Sequence, residues 1–337
     1  MPTKTTVPED HRDDARPQFV LEALREHRHF VMCAHEKPDG DVLGSGFALG
    51  LALKAMGKTV HYFLDDEVPR NLRFLPDADK TQRTFEGIDP SALYVFMDMS
   101  DRARADDALA AVPRAQIINI DHHLGNKRFG RWNYVLEAEA ATGILVLNLI
   151  GGLRQTVTED IATCLLTAII SDTGCFLYSN ATPSTLRVAA TLQDLGADKD
   201  VITEQLYQTR SFSGQKILGR VLDDFVLTDD GICYSTVSQK LLESFGASHE
   251  DLEDVVGALR AVDHCEVAAL LKESPDGSYR LSLRSRGRVN VMEAARALGG
   301  GGHFRAAGAT LAGPLADALD RMLTAVRAEM EAERARG

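Results

Sequence analysis

His35, Asp39 and Asp41 lie close together in the stretch His35-Glu36-Lys37-Pro38-Asp39-Gly40-Asp41. One imidazole and two carboxylates leaving a single short loop form a donor set for divalent cations. Pro38 stiffens the turn, and Gly40 lets the backbone bend so that the two acids can face different points. Two other readings compete. Asp-Gly-Asp ahead of a helix is also a common turn and N-cap. The following Gly44-Ser45-Gly46-Phe47-Ala48-Leu49-Gly50, with Asp65 and Asp66 about 20 residues on, has the form of a dinucleotide-binding fingerprint.

Further acids and histidines recur downstream in Asp98-Met99-Ser100-Asp101, in Asp121-His122-His123 and in Ser171-Asp172-Thr173-Gly174. Taken singly, each is explained as a cap or a structural histidine. Their placement on the expected elements changes the balance.

Apolar runs at Phe30–Ala34, Val60–Leu64, Leu93–Met97 and Ile117–Ile120 read as buried strands. Helical patterns at 19–27, 42–56, 140–149, 159–170, 183–195 and 201–207 accompany them, with Thr158 as a cap. The expected architecture is α/β, a parallel sheet with helices on both faces. In such a sheet the carboxyl ends of the strands share one rim, so His35, Asp39, Asp41, Asp98, Asp121, His122 and His123 converge. Two carboxylates about 4 Å apart repel by about 4 kcal/mol at an effective dielectric near 20. Four crowded together would cost more than the usual net stability of a domain. Two divalent cations would neutralise them, and imidazole mixed with carboxylate suits Mn, Fe, Co or Zn better than Mg or Ca. Two cations about 3.5 to 4 Å apart can clamp the attacking and leaving oxygens of a phosphoryl displacement.

The pattern loosens at 208–219, which is expected to be a linker. Beyond it come a hairpin around Asp229-Asp230-Gly231, a helix over 251–262, strands at 267–271 and 279–283, a short helix at 291–298 and a long helix from about Leu315. This is expected to be a smaller α+β domain. It carries a basic island, Arg284-Ser285-Arg286-Gly287-Arg288, and the run Gly299-Gly300-Gly301-Gly302-His303. Arginine grips phosphate bidentately, and a glycine run lets backbone amides approach an anion. A solvated hairpin end and a flexible turn are the plain alternatives. Phe304 offers a ring on which a base can stack.

The chain has 337 residues, enough for two domains, with 45% hydrophobic and 26% charged residues, as in ordinary globular proteins. The net charge of -12 argues against tight binding of long nucleic acid, although a small anion in one local site is compatible with it. Five scattered cysteines in apolar segments read as free thiols of a reducing cytoplasm. No apolar run is long enough for a membrane span, and residues 1–17 read as a disordered lead-in.

Together, the His35–Asp41 stretch with Gly44-Ser45, Asp98 with Asp101, Asp121-His122-His123 and Asp172 resemble the four ordered motifs of the DHH phosphoesterases. Ser282-Leu283-Arg284-Ser285 and Gly300-Gly301-Gly302-His303-Phe304-Arg305-Ala306-Ala307-Gly308 resemble the DHHA1 substrate domain. The combination is similar to the small two-domain branch of nanoRNases and 3'-phosphoadenosine 5'-phosphate (pAp) phosphatases of the NrnA type. The resemblance implies a DHH catalytic domain over 18–207, a linker over 208–219, a DHHA1 domain over 220–337 and an active site in the cleft between them. It implies two divalent cations, with Mn2+ expected. His35 and Asp39 would hold the first, Asp41, His122 and Asp172 the second, and Asp98 would bridge them. Asp121 would orient an imidazole, and His123 would contact the scissile phosphate. Arg284, Ser285, Gly301, Gly302 and His303 would bind substrate. The implied substrates are short RNA oligonucleotides, linear dinucleotides such as pApA or pGpG, and pAp, cut by a water activated by two cations. No long nucleic acid and no membrane are expected as partners, and a homodimer is compatible. Inorganic pyrophosphatase or exopolyphosphatase activity and dinucleotide binding are the alternatives.

Overall fold

The structure, a computed structural model, describes residues 17–105, 107–252 and 255–336. The expected lead-in, up to residue 16, lies outside them. The chain divides after Thr209 into two compact units.

In the first unit, α1 (Gln18–Glu26) precedes β1 (His29–Cys33), followed by α2 (Gly40–Ala55), β2 (Thr59–Phe63), β3 (Thr81–Gln82) and β4 (Leu93–Met97). Next come α3 (Asp107–Ala110), β5 (Ile117–Asp121), β6 (Trp132–Val135), α4 (Thr142–Gly152), α5 (Glu159–Asp172), α6 (Pro183–Asp194) and α7 (Lys199–Thr203). The strands form one parallel sheet in the order β3-β2-β1-β4-β5-β6. Alternation along β1 sends Phe30 and Met32 into one apolar layer and Val31 and Cys33 into the other. The first layer is built with α1, α2, α4 and α5. The second is thinner, closed by Leu109 of α3 and by Phe85 and Phe129 from loops.

Side-chain caps set the helix starts. Asp39 accepts from the amides of Asp41 and Val42 to begin α2, and Thr158 accepts from Ile161 to begin α5. The helix therefore opens at Gly40, four residues ahead of the glycine run that suggested a nucleotide fingerprint. A Cβ at Gly44 would lie 2.3 Å from the carbonyl oxygen of Cys164, and one at Gly50 would lie 2.4 Å from the Tyr62 hydroxyl. These glycines let α2 press against α5 and β2, and the dinucleotide reading is set aside. Asp66, its expected ribose-binding acid, instead accepts the Lys37 amide at 2.7 Å and anchors the loop that carries Asp39.

The second unit begins with α8 (Phe212–Asp223), β7 (Val226–Leu227), β8 (Ile232–Val237), α9 (Gln239–Phe245) and α10 (Val255–Arg260). It continues with β9 (Val267–Glu273), β10 (Tyr279–Ser285), α11 (Val291–Ala297), β11 (Gly301–His303), β12 (Ala306–Leu311) and α12 (Leu315–Arg336). Its sheet runs β11-β12-β10-β9-β8-β7, parallel only between β8 and β9. Val267, Ala269 and Leu271 pack on one face, Ala268 and Leu270 on the other.

Two local expectations need correction. Most of the stretch read as a linker, 208–219, is helical, because the Ser211 hydroxyl caps α8 by accepting the Gly214 amide at 2.7 Å. The glycine run is not just a turn, since Gly301 and Gly302 belong to the edge strand β11. Gly302 has φ +142°, and a Cβ there would lie 2.5 Å from the Ala306 carbonyl oxygen, so only glycine fits.

Candidate metal centre

The ends of β1, β4 and β5, the start of α2 and the last residue of α5 supply one cluster. Each histidine is held through one ring nitrogen. His35 donates from Nδ1 to the Glu36 carbonyl oxygen at 2.8 Å, and His122 donates from Nδ1 to that of Glu139 at 3.0 Å. Each Nε2 is thereby turned towards carboxylates. His35 Nε2 lies 3.8 Å from Asp98 Oδ2. His122 Nε2 lies 3.4 Å from Asp98 Oδ1, 3.5 Å from Asp172 Oδ2 and 3.7 Å from Asp41 Oδ2.

The carboxylates are just as firmly placed. Asp98 sits directly after β4 with φ +53°, a left-handed backbone that aspartate tolerates better than most residues. Its amide donates to the Ile120 carbonyl oxygen at 2.9 Å, and its Oδ1 accepts the Thr142 hydroxyl at 3.0 Å. Asp41 is fully buried and accepts the Ser45 hydroxyl (3.1 Å) and the amides of Thr142 (2.7 Å) and Gly143 (3.0 Å). Asp39 caps α2 through Oδ1 alone, so the cap reading and the ligand reading are compatible. Asp121, also fully buried, accepts from His123 Nδ1 at 2.6 Å and from the Asn126 side-chain amide.

Three sets of donor atoms lie within 4.8 Å of one another: His35, Asp39 and Asp98; Asp41, His122 and Asp172; Asp98, His122 and His123. Asp98 is common to the first and third, and His122 to the second and third. Burial pushes the Asp41 carboxyl well above the carboxylate range, and the neighbouring Asp98 adds to it. Asp172 is pushed up to about 7 by burial, with Asp98 and Asp39 adding to the rise against the opposing pull of His122. Asp98 is the exception: burial opposes its charge, but His123, His122 and His35 together hold it well below its usual range. Burial also resists charge on His122 and His123, yet Asp98 and the other acids raise both. Without cations, protons must supply the positive charge that this cluster demands. Imidazoles and carboxylates, buried except for the exposed Asp39 and the part-buried Asp172 and converging in sets of three, fit two divalent cations in kind.

All six residues expected as metal ligands thus come together, with Asp121 and His123 beside them. Asp101 does not join them. It caps a short turn at Ala103 and pairs with Lys127. Ser45, from the first motif, and Thr142, Gly143 and Asn126, which no sequence pattern marks, hold Asp41, Asp98 and Asp121 in place. A hydroxyl at the start of the apolar run from Ala140 was the one local trace of Thr142.

In the second unit, Arg284 and Ser285 point to opposite faces of β10. Arg284 is half-buried and donates to the Leu283 carbonyl oxygen. Ser285, expected to bind substrate, is buried, with its hydroxyl turned away from solvent. Gly301 and Gly302 are exposed, as is Phe304. His303 lies in β11, and its side chain is outside what the structure describes. No helix among the described residues is long and apolar enough to cross a membrane.

The family model described as "DHH family, N-terminal domain" matches residues 29–169, and the DHHA1 domain model matches residues 229–332. Over 316 residues the chain is 40% identical to the bifunctional oligoribonuclease and PAP phosphatase NrnA of Thermus thermophilus, covering 93% of this chain and 94% of that one. Its identity to the protein of the same name from Bacillus subtilis is 27%, over 87% and 92% of the two chains. Among solved structures, an exopolyphosphatase-related protein from Bacteroides fragilis superposes with a TM-score of 0.83 at 25% identity, over 92% of this chain and 95% of that one.

Proposed function

The chain belongs to the DHH phosphoesterase family, with a DHHA1 domain in its second unit, and from that premise we propose how its residues hydrolyse short oligonucleotides and pAp. It is a hydrolase of phosphoester bonds. The observation that carries the reading is the pair of donor sets meeting at Asp98, one drawn from His35 and Asp39, the other reached through His122 with Asp41 and Asp172. Two divalent cations, when bound there, would neutralise the crowded acids, acidify the attacking water and stabilise the charge of the leaving oxygen. Manganese is the favoured ion, since two imidazoles enter an otherwise oxygen-rich set.

The protein's own residues do the rest. His35 and Asp39 would hold one cation, Asp41, His122 and Asp172 the other, and Asp98 would serve both. Asp121 fixes the His123 ring by accepting from Nδ1; Nε2 then faces the substrate, and the doubly protonated ring, favoured by the raised proton affinity of His123, has a proton on Nε2 to give to the scissile phosphate or the departing oxygen. Asn126 keeps Asp121 in register. In the DHHA1 domain, Arg284, the exposed glycines Gly301 and Gly302, and His303 are the groups we assign to a second phosphate of the substrate. Ser285 supports β10 from its buried face. Linear dinucleotides such as pApA and pGpG fall within the same chemistry. The substrate set excludes long nucleic acid, and the free cysteines suit a reducing cytoplasm.

The test is one activity panel in Mn2+ with pAp, RNA of two to ten nucleotides, pyrophosphate and polyphosphate. Turnover of pAp and of the shortest RNAs, with pyrophosphate and polyphosphate left intact, is the expected result. Preferential hydrolysis of pyrophosphate would replace this reading with the pyrophosphatase one.

A further inference from the structure

We propose that Thr142 is a positioning residue that couples the two cation positions, so that they fill cooperatively. The inference rests on the two-cation reading above.

Thr142 opens α4 and touches one ligand from each set. Its amide donates to Asp41 Oδ2 at 2.7 Å, and its hydroxyl donates to Asp98 Oδ1 at 3.0 Å. Asp41 belongs with His122 and Asp172, and Asp98 belongs with His35 and Asp39. Both carboxylates are buried, so water does not readily replace either bond.

The hydroxyl fixes the turn of the Asp98 carboxylate. With Oδ1 held by Thr142 and 3.4 Å from His122 Nε2, Oδ2 is directed to His35 Nε2 at 3.8 Å. One oxygen is thus presented to each set. The Asp98 backbone is pinned by the hydrogen bond from its amide to the Ile120 carbonyl oxygen, so carboxylate rotation is the remaining freedom, and the Thr142 hydroxyl restrains it.

The anchor itself is stiff. The Gly143 amide adds a second bond to Asp41 at 3.0 Å. A Cβ at Gly143 would lie 2.7 Å from that of Ala168, so the start of α4 is pressed onto α5, the helix that ends in Asp172. Any shift of the Asp98 carboxylate on loading its set would therefore be felt at Thr142, and through the Thr142 amide at Asp41 in the other set. Such a link appears as a coupling free energy between the two binding events.

The experiment is a Mn2+ titration of the metal-stripped full chain by calorimetry, with unbound Mn2+ read by electron paramagnetic resonance. Wild type, Thr142→Val and Thr142→Ser are compared. Valine keeps the shape and the backbone amide but removes the hydroxyl, and serine restores it. Wild type should take up two ions in one cooperative step. Thr142→Val should take them up in two separate steps, the weaker about 10-fold or more below wild type. Thr142→Ser should behave as wild type, and all three should keep the same circular dichroism in chelator. If Thr142→Val fails to fold, Thr142→Ala supplies the same comparison. A two-ion cooperative curve that Thr142→Val leaves unchanged would overturn this inference alone. Equal losses in Thr142→Val and Thr142→Ser would also overturn it, because the hydroxyl would not be the cause. Fewer than two ions on wild type would overturn the two-cation reading beneath it.

Discussion

His123 and Asp121 share a 2.6 Å hydrogen bond through Nδ1, with Asp121 wholly buried and its other oxygen held by Asn126. This fixes the ring tautomer: Nδ1 donates, so Nε2 is the atom that meets substrate. It also raises the proton affinity of His123, with Asp98 the larger contributor, against a burial effect that lowers it. Asp121→Asn keeps the shape but removes one of the two anions. Its kcat should fall by about 10- to 100-fold with KM little changed. Steady-state kinetics on a dinucleotide checks this, and an unchanged kcat would remove His123 and Asp121 from the chemistry.

Asp98 belongs to two of the three donor groups and lies 3.4 Å from His122 Nε2 of the remaining one, which makes it the carboxylate to test first. Asp98→Asn preserves the preference for the left-handed backbone while removing the charge, and Asp98→Ala removes the ligand altogether. Turnover should be lost in both, with circular dichroism of the folded chain retained. Full activity in either, or in chelator-treated wild type, would eliminate the two-cation mechanism.

Much of this site is legible in the sequence because parallel strands end on one rim. β4 falls on its apolar run, and α5 starts at its Thr158 cap. The clustered acids and histidines follow strand ends or open α2, where chemistry is expected, except Asp172, which closes α5. Thr142 escapes because its partners are 101 and 44 residues away, and its neighbours read as an ordinary apolar helix. The strand β12 escapes because Ala306, Ala307 and Gly308 have weak strand propensity and depend on antiparallel pairing with β10. The helix α8 is hard to see in the sequence, since Gly214 and Gly219 dilute its pattern, although Ile217 and Val221 are buried and Ser211 caps it.

The metal-stripped protein should lose stability as pH rises. Asp41 and Asp172 are held above the carboxylate range, Asp172 at about 7, and His122 and His123 are raised as well. A group whose folded pKa is raised contributes stability below its unfolded value and loses it as pH climbs through the folded one. Asp98, held low, acts in the opposite sense but only in acid. Melting temperature without metal should therefore fall between about pH 5 and about pH 8, and the increment given by Mn2+ should grow over the same range. Melting curves with and without Mn2+ at both ends of the range decide it. A constant increment would mean that protons and cations do not compete for these groups.

Away from the site, Asp77 gathers Lys54 at 2.6 Å, the buried Tyr62 hydroxyl at 2.7 Å, and Lys80. Burial pushes its carboxyl up, but these three partners outweigh that effect and hold it down at about 2. Asp77→Asn suits the left-handed backbone at φ 66° and isolates the charge. It should cost about 1–3 kcal/mol near neutral pH. Because the folded pKa is depressed, the difference from wild type should shrink as pH falls from about 4 towards about 2. Urea unfolding at neutral and acidic pH measures it, and a difference independent of pH would mean that packing rather than charge is at stake.

Substrate length is the last expectation. A net charge of -12 gives the surface a field that repels continuing phosphates, while Arg284, Arg286 and Arg288 concentrate positive charge on one short stretch. Affinity for long nucleic acid needs many phosphate contacts, each releasing counterions, and one basic island supplies few. Each nucleotide added beyond those gripped brings repulsion without a matching contact. The value of kcat/KM should fall steeply from dinucleotides to about five nucleotides, and strands beyond roughly ten should be nearly inert. Added salt screens the repulsion over about 10 Å and should flatten the decline, although it weakens the grip on the shortest substrates. A length series of 5'-labelled RNA in Mn2+ at two salt concentrations tests both points. Arg284→Ala, run alongside, should lower kcat/KM for dinucleotides more than for a simple aryl phosphodiester that lacks a second phosphate. A flat or rising length profile would place this chain with processive exonucleases instead, and equal losses on both small substrates would remove Arg284 from phosphate recognition.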